Sequence, residues 1–415
     1  VNVYTTILTG TYCNEHCLPG LVWFDSKEKR LVNYGSHIRE LWKLGISQSL
    51  EDILFNMNGS HISKEVKTIH EEIEEKGKKS ASINALVYRG NTPHFYNLPK
   101  LITWFTAIKK GRPTFAPAAF TYGSLKNISG STRFQRLWQR FGFNSSFSVQ
   151  ELTHLIKKDQ LPAFTIVYFP ELDQRVHKRG RMDIVGIEKV DHHLQKLLNT
   201  YDTWEEAIHR NIWLTIGDNG QAWIDSNRNK ALIDLRELFS EYDIMKLKKG
   251  VQPQNQIVLA VNERMSYVYT LDKEKLSIEE LVQTVHNEER IDVIAWKKDS
   301  YIVVRAGKNE GELRFRKGGP LIDAYNQSWN LEGDLNLLDL TISDNEILYG
   351  DYPDALERLY SSLYSHQGDF IVVSSKPGYE FIGEGSPTHV GGASHGGLHR
   401  QDSLIPLIVT GTNSQ

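Results

Sequence analysis

Three short stretches of the 415-residue chain carry side chains able to hold a cation. Asp173 and His177 stand at i, i+4 in Phe169-Pro-Glu-Leu-Asp-Gln-Arg-Val-His. A helical turn there would put a carboxylate and an imidazole on one face. Asp218-Asn219-Gly220-Gln221 follows an apolar run. His395 is wrapped in Gly391-Gly392-Ala393-Ser394-His395-Gly396-Gly397, where glycines permit close backbone approach to an ion or anion. Each motif also has a plainer reading: a capping Asp with a surface His, an Asp-Asn-Gly turn, a flexible loop with an incidental His.

The elements that must position these residues are legible as apolar runs. Phe164 to Phe169 leads into Glu171 and Asp173, and Ile212 to Ile216 leads into Asp218. Phe370 to Val373 and Leu404 to Val409 follow. Unbroken runs of this length, with helices between them, predict buried strands of a largely parallel sheet, whose ligands gather beyond the strands' carboxyl ends. Ile187, Val190, Leu194, Leu197 and Leu198 recur at helical spacing, as do Ala355, Leu356, Leu359, Leu363 and Tyr364, with Pro353 suited to a first turn. Residues 31–150 read as a helical, charged and then aromatic-rich insert, with Trp104, Phe105, Phe115, Phe120, Tyr122, Trp138 and Phe141. Such an insert either caps a site or packs its own aromatics. Between Gln256 and Gly319 the order strand, helix, hairpin predicts a small α+β subdomain. The expected division is therefore a core of 1–30, 151–250 and 345–415, a cap of 31–150 and a subdomain of 251–344.

Composition sets limits. Hydrophobic residues make up 40% and charged residues 24%, as in ordinary globular proteins, and no apolar run approaches membrane-spanning length. A net charge of -3 argues against a dedicated nucleic-acid binder. A small anion suits the local basic cluster Arg175, His177, Lys178, Arg179, Arg181. The two cysteines, Cys13 and Cys17, are too few for a disulfide framework and lack a zinc-finger second half. Their scarcity suits cytoplasm better than secretion. The chain opens at Val1 within a structured pattern, so a preceding segment is expected.

Strand-end Asp…His, then strand-end Asp, then a late glycine-wrapped His before a last strand resembles the ligand order of the alkaline-phosphatase superfamily. More narrowly, it resembles the type I phosphodiesterase/nucleotide pyrophosphatase group. Asn2-Val-Tyr-Thr-Thr-Ile-Leu-Thr-Gly10-Thr-Tyr…His16…Pro19-Gly20 is similar to the segment following that group's nucleophile. The resemblance implies a three-layer α/β/α fold with a mostly parallel central sheet. It implies two divalent ions: Zn at Asp173, His177 and His395, and Zn, Mn or Mg at Asp218, with Asn219 beside it. It also implies a Thr or Ser nucleophile just ahead of Val1, with an earlier Asp, and hence near-inactivity of these 415 residues alone. The implied reaction is hydrolysis of a small phosphodiester or phosphomonoester. His399, Arg89 and Lys178 are the candidate substrate contacts. Two departures stand out: Asn219 where the group carries His, and Leu21 after Pro19-Gly20 where nucleotide pyrophosphatases tend to place Asn. These keep open a catalytically degenerate binding protein, alongside a phosphonate or sulfate hydrolase or a phosphomutase of the same superfamily.

Overall fold

The pattern between residues 257 and 375 folds into the largest sheet. The computed structural model describes residues 2–99, 106, 108 and 111–412. Its nine-stranded sheet runs Ile257–Asn262, Met265–Thr270, Asp369–Ser375, Ile291–Lys298, Tyr301–Ala306, Asn309–Asp323, Glu346–Tyr349, Leu340–Ser343, with Ser328–Gly333 also paired to Asn309–Asp323. Every pairing in it is antiparallel except Asn309–Asp323 with Glu346–Tyr349.

Helices cover both faces of this sheet, which explains the unbroken apolar run at Phe370. Phe370 and Val372 pack with Leu356, Leu359 and Leu363 of the helix Ala355–Tyr364. Ile371 and Val373, on the opposite face, pack with Leu281, Val282 and Val285 of the helix Ile278–His286. The run thus reports two-sided burial rather than strand direction, and both neighbours of Asp369–Ser375 are antiparallel to it.

Parallel pairing builds the second sheet, where Ser80–Ile83 lies between Ala119–Thr121 and Phe164–Val167. A further parallel pair joins Leu232–Asp234 to Glu380–Ile382. The chain has the expected α/β class, with helices on both faces of its largest sheet, and the sheet that leads to Asp173 is built of parallel strands. Trp213–Ile216 and Leu407–Thr410 were expected as buried strands, but they pair antiparallel with each other. Leu214, Ile216, Leu407, Ile408 and Val409 are exposed there, because among the described residues no element covers that ribbon.

The expected domain boundaries cut across these sheets. Asp369–Ser375, assigned to the core, is flanked on both sides by strands assigned to the 251–344 subdomain. Ser80–Ile83 and Ala119–Thr121, assigned to the cap, share a sheet with Phe164–Val167 of the core. Sequence-local rhythm marks where elements change but not which strands pair across long separations. Within 31–150, Tyr88, Phe120 and Tyr122 pack on one another with Leu54 and Phe55, which is the self-packing alternative. Phe115, Trp138 and Phe141 are exposed, and Trp104 and Phe105 lie outside the described residues.

Candidate metal centre

The strand Phe164–Val167 delivers the chain to the helix Glu171–Arg179, whose first turn holds Asp173 and whose last turn holds His177. Glu171 accepts from the Ser145 amide at 2.9 Å, tying the start of this helix to the helix Ser145–Lys157. One helical turn brings His177 Nε2 to 3.3 Å from Asp173 Oδ1. The glycine loop then closes over the helix. His177 Nδ1 donates to the Ala393 carbonyl at 2.8 Å, which turns Nε2 toward Asp173 as the atom that a proton or a cation can occupy. Gly392 is required for this approach, since a Cβ there would run into the His177 carbonyl. His395 arrives with Nε2 3.6 Å from Asp173 Oδ1. Asp173, His177 and His395 therefore come together, with one donor atom of each close enough to the others to share an ion.

A third element meets them from below. The strands Ile257–Asn262 and Met265–Thr270 form a hairpin with the two-residue loop Glu263-Arg264. Gly396, at φ +98°, packs on that loop, where a Cβ would stand 2.8 Å from the Asn262 carbonyl. Arg264 is fully buried and pairs with Asp402 at 2.7 Å, while its amide donates to the His395 carbonyl at 3.1 Å. Glu263 reaches the cluster, with Oε1 3.9 Å from His177 Nε2 and Oε2 3.9 Å from His395 Nε2. His389 stacks on His177 at 4.2 Å between centroids, and Nδ1 is held by the buried Glu380 at 2.8 Å. His177, Glu263 and His389 form a second ion-competent group on the same imidazole.

Charges in the cluster reinforce one another. Burial alone would raise Asp173, but hydrogen bonds from His177 and His395 hold its carboxyl well below the usual range. Burial likewise opposes ionisation of Glu263, and the three imidazoles at 395, 177 and 389 outweigh it and lower its pKa. His395 is pulled down by burial but pushed up more strongly by Glu263 and Asp173, to about 9. Such a set of anions gathered around imidazoles is a competition between protons and a divalent cation for the same lone pairs.

The donor chemistry suits a divalent ion. Imidazole nitrogens with carboxylates are the set that zinc and manganese accept. Gln221 donates to Asp173 Oδ1 at 2.8 Å, and its own Oε1 is buried without a protein partner beside the cluster.

The other expected residues are placed differently. Asp218 accepts from the Tyr4 hydroxyl at 2.8 Å and adds to the negative field at His395, but it belongs to neither three-donor group. Asn219 donates its amide to the Gly220 carbonyl at 2.9 Å. Arg89, expected to meet substrate, is instead a buried tie: its guanidinium binds Glu71 and the carbonyls of Ile62, Ser63 and Val66. Lys178 faces away from the cluster, into a groove of about 500 Å³ shared with Arg140, Arg175, Arg179 and Lys189. His399 caps a short helix, accepting from the Gln401 amide at 3.1 Å, and lies 3.7 Å from Asp351. Thr5 is buried and Thr6 contacts His16. Cys13 and Cys17 are free thiols.

Sequence reasoning did not single out Glu263 or Gln221. Gln221 stands in the sequence as the last residue of the Asp218-Asn219-Gly220-Gln221 turn. Glu263 could have been found from the alternation between Ile257 and Leu271, which breaks at Asn262-Glu263-Arg264 and so marks a hairpin tip.

The α/β fold thus places an Asp/His/His cluster, able to hold one cation, between the helix that follows a parallel strand and a glycine loop. The chain belongs to the type I phosphodiesterase / nucleotide pyrophosphatase family, whose profile matches residues 2–398. That is a metal-dependent family of phosphoester-type hydrolases. Among solved structures, phosphonoacetate hydrolase from Sinorhizobium meliloti, in complex with phosphonoformate, aligns at 13% identity with TM-score 0.50. The alignment covers 98% of this chain and 78% of that one. Human ectonucleotide pyrophosphatase/phosphodiesterase 5 aligns at 11% identity and TM-score 0.48, covering 98% and 75%. The murine protein of the same name aligns at 12% and 0.49 with the same coverage. No curated protein sequence matches the chain. Among the described residues no helix is long and apolar enough to cross a membrane.

Proposed function

We propose that this protein is a metal-dependent phosphoesterase acting on a small phosphodiester or phosphomonoester. The observation that carries the reading is the convergence of Asp173, His177 and His395 from two distant segments, with donor separations of 3.3 and 3.6 Å. These three would hold a zinc ion. Asp218, with Asn219 beside it, would hold a second ion that is zinc, manganese or magnesium. Bound divalent ions supply Lewis-acid polarisation of a phosphoryl oxygen and a lowered pKa for a coordinated hydroxyl or water.

The chain's own residues do the positioning. Ala393 orients His177 through Nδ1, and Gln221 holds the Asp173 carboxylate by one oxygen. Tyr4 hydrogen-bonds Asp218, bringing the first turn of the helix Asn2–Thr9 beside the second acidic residue. This supports a Thr or Ser nucleophile immediately ahead of that helix.

A second reading draws on Asn219, whose amide is turned to Gly220, and on Asp218 standing outside both donor groups. It is a one-ion binding protein without catalysis. Metal analysis with paired assays separates the two. The full protein, reconstituted with zinc or manganese, is tested on p-nitrophenyl phosphate and bis(p-nitrophenyl) phosphate before and after chelation. Close to two ions per chain and turnover abolished by chelator are expected, with metal lost in Asp173→Asn and His395→Ala. One ion and no turnover would favour the binding protein. No bound metal in the unaltered protein would refute both.

A further inference from the structure

The Asp/His/His cluster has an open side, and Glu263 occupies it. Going round the four side chains, Asp173 Oδ1 is 3.3 Å from His177 Nε2, which is 3.9 Å from Glu263 Oε1. Glu263 Oε2 is 3.9 Å from His395 Nε2, which is 3.6 Å from Asp173 Oδ1. Oxygen and nitrogen alternate around this circuit. Ligands bound at about 2.0–2.1 Å in a tetrahedron lie roughly 3.3 Å apart. The two contacts of Asp173 are near that length, while Glu263 faces the two imidazoles with different oxygens and moves inward for one of them to join the same ion.

Glu263 is built to stay there. Of the two residues in its hairpin loop it holds φ at 59°, the left-handed region where glycine is the usual occupant. Yet the position carries a long acidic side chain. Ser394 donates to its Oε2 at 2.7 Å, its carbonyl accepts from the Phe381 amide at 2.8 Å, and the next residue is locked to Asp402. A glutamate kept at a glycine position and aimed at two imidazoles is there for its carboxylate. A divalent ion among Asp173, His177 and His395 would also keep one uncompensated positive charge in a largely buried place, and a second carboxylate cancels it.

We propose that Glu263 is a fourth protein ligand of the cation held by Asp173, His177 and His395, giving a two-carboxylate, two-imidazole site for a zinc-like transition-metal ion. This rests on the cation site proposed above. His389, with Nδ1 braced by Glu380 and its ring stacked on His177, positions that imidazole from behind.

The test is zinc affinity of the full protein, measured by competition with a chromophoric chelator, and the visible spectrum of the cobalt-substituted protein. Glu263→Gln keeps the side-chain size and an oxygen for Ser394. It is expected to bind zinc about 10- to 100-fold more weakly, to change the cobalt ligand-field bands, and to melt like the unaltered chain when metal-free. Unchanged zinc affinity with an unchanged cobalt spectrum would overturn the proposal. If Glu263→Gln does not fold, Ser394→Ala serves instead, because it unties the carboxylate without altering it: weaker zinc binding supports the ligand role and equal binding overturns it. Absence of zinc binding by the unaltered protein defeats the cation site itself, and Glu263 with it. Zinc binding retained by the unaltered protein and by Glu263→Gln alike defeats Glu263 alone.

Discussion

At the scale of single residues, the site is held by a buried ion pair that touches no candidate donor side chain. Arg264 and Asp402 have side chains 0% and 1% exposed, and Arg264 also donates to the Ser375 carbonyl at 2.7 Å. Burial lowers the Arg264 pKa and raises that of Asp402, so each charge depends on the other. Removing one partner strands the other's charge in a buried place. Arg264→Ala is expected to destabilise the fold by about 3–5 kcal/mol in denaturant titrations. The double replacement Arg264→Met with Asp402→Leu should cost less than the single one, since no charge is left unpaired. An additive double variant would show that the two charges do not depend on each other.

At the scale of elements, three pieces from distant parts of the chain make the centre: a short helix, a hairpin tip and a glycine loop. The helix Glu171–Arg179 and the loop meet where Gly392 passes the His177 carbonyl. Gly392→Ala inserts a methyl group against backbone that has no rotamer to yield, so loop and helix must part. The expected result is a loss of about 1–3 kcal/mol together with weaker zinc binding, because His177 and His395 separate. A variant with ordinary stability and full zinc affinity would mean that the loop can shift without moving either imidazole. The hairpin contributes differently: its two strands lie at one side of the nine-stranded sheet, so its tip inherits the rigidity of a core covered by helices on both faces.

For the whole molecule, three histidines far from the centre set its response to acid. Burial pushes His16 and His70 down to about 4 and His366 down to about 3, from an ordinary 6.5. His16 shows why: its Nδ1 accepts from the Leu18 amide at 3.1 Å, which requires the neutral ring. A depressed folded-state pKa means that the unfolded chain takes up protons first. Stability is therefore full above about pH 6.5 and is lost as pH falls toward 4. His16 and His70 should each contribute a loss of roughly 3 kcal/mol over that window. Asp354 works in the opposite sense, since burial raises it to about 6 and its stabilising protonation is lost as pH rises from 3.8 through 6. Burial raises Glu40, Asp292, Glu357 and Asp402 in the same sense as Asp354, and lowers His61, His94 and His193 along with the other three histidines. The histidines act from about pH 6.5 downward, so a net loss is expected between pH 7 and 5. Denaturation midpoints at pH 7, 6 and 5 should fall in that order in metal-free protein, and a flat series would contradict these burial effects.

Much of the local structure could be read from residue order. The helix Ala355–Tyr364 lies on the residues whose periodicity predicted it, and the alternation from Ile257 and the amphipathic stretch from Ile278 became a hairpin and a helix. Asp173, His177 and His395 were legible as candidate donors because cation chemistry restricts the side chains, and i, i+4 spacing and glycine-rich backbone are local properties. Pairing was not legible. The run at Phe370 is as apolar in an antiparallel sheet covered on both faces as in a parallel one, and the run at Leu404 is apolar though exposed. Only the tertiary structure brought Glu263 to the imidazoles and turned Arg89 inward, because those contacts join residues that nothing in their own neighbourhoods connects.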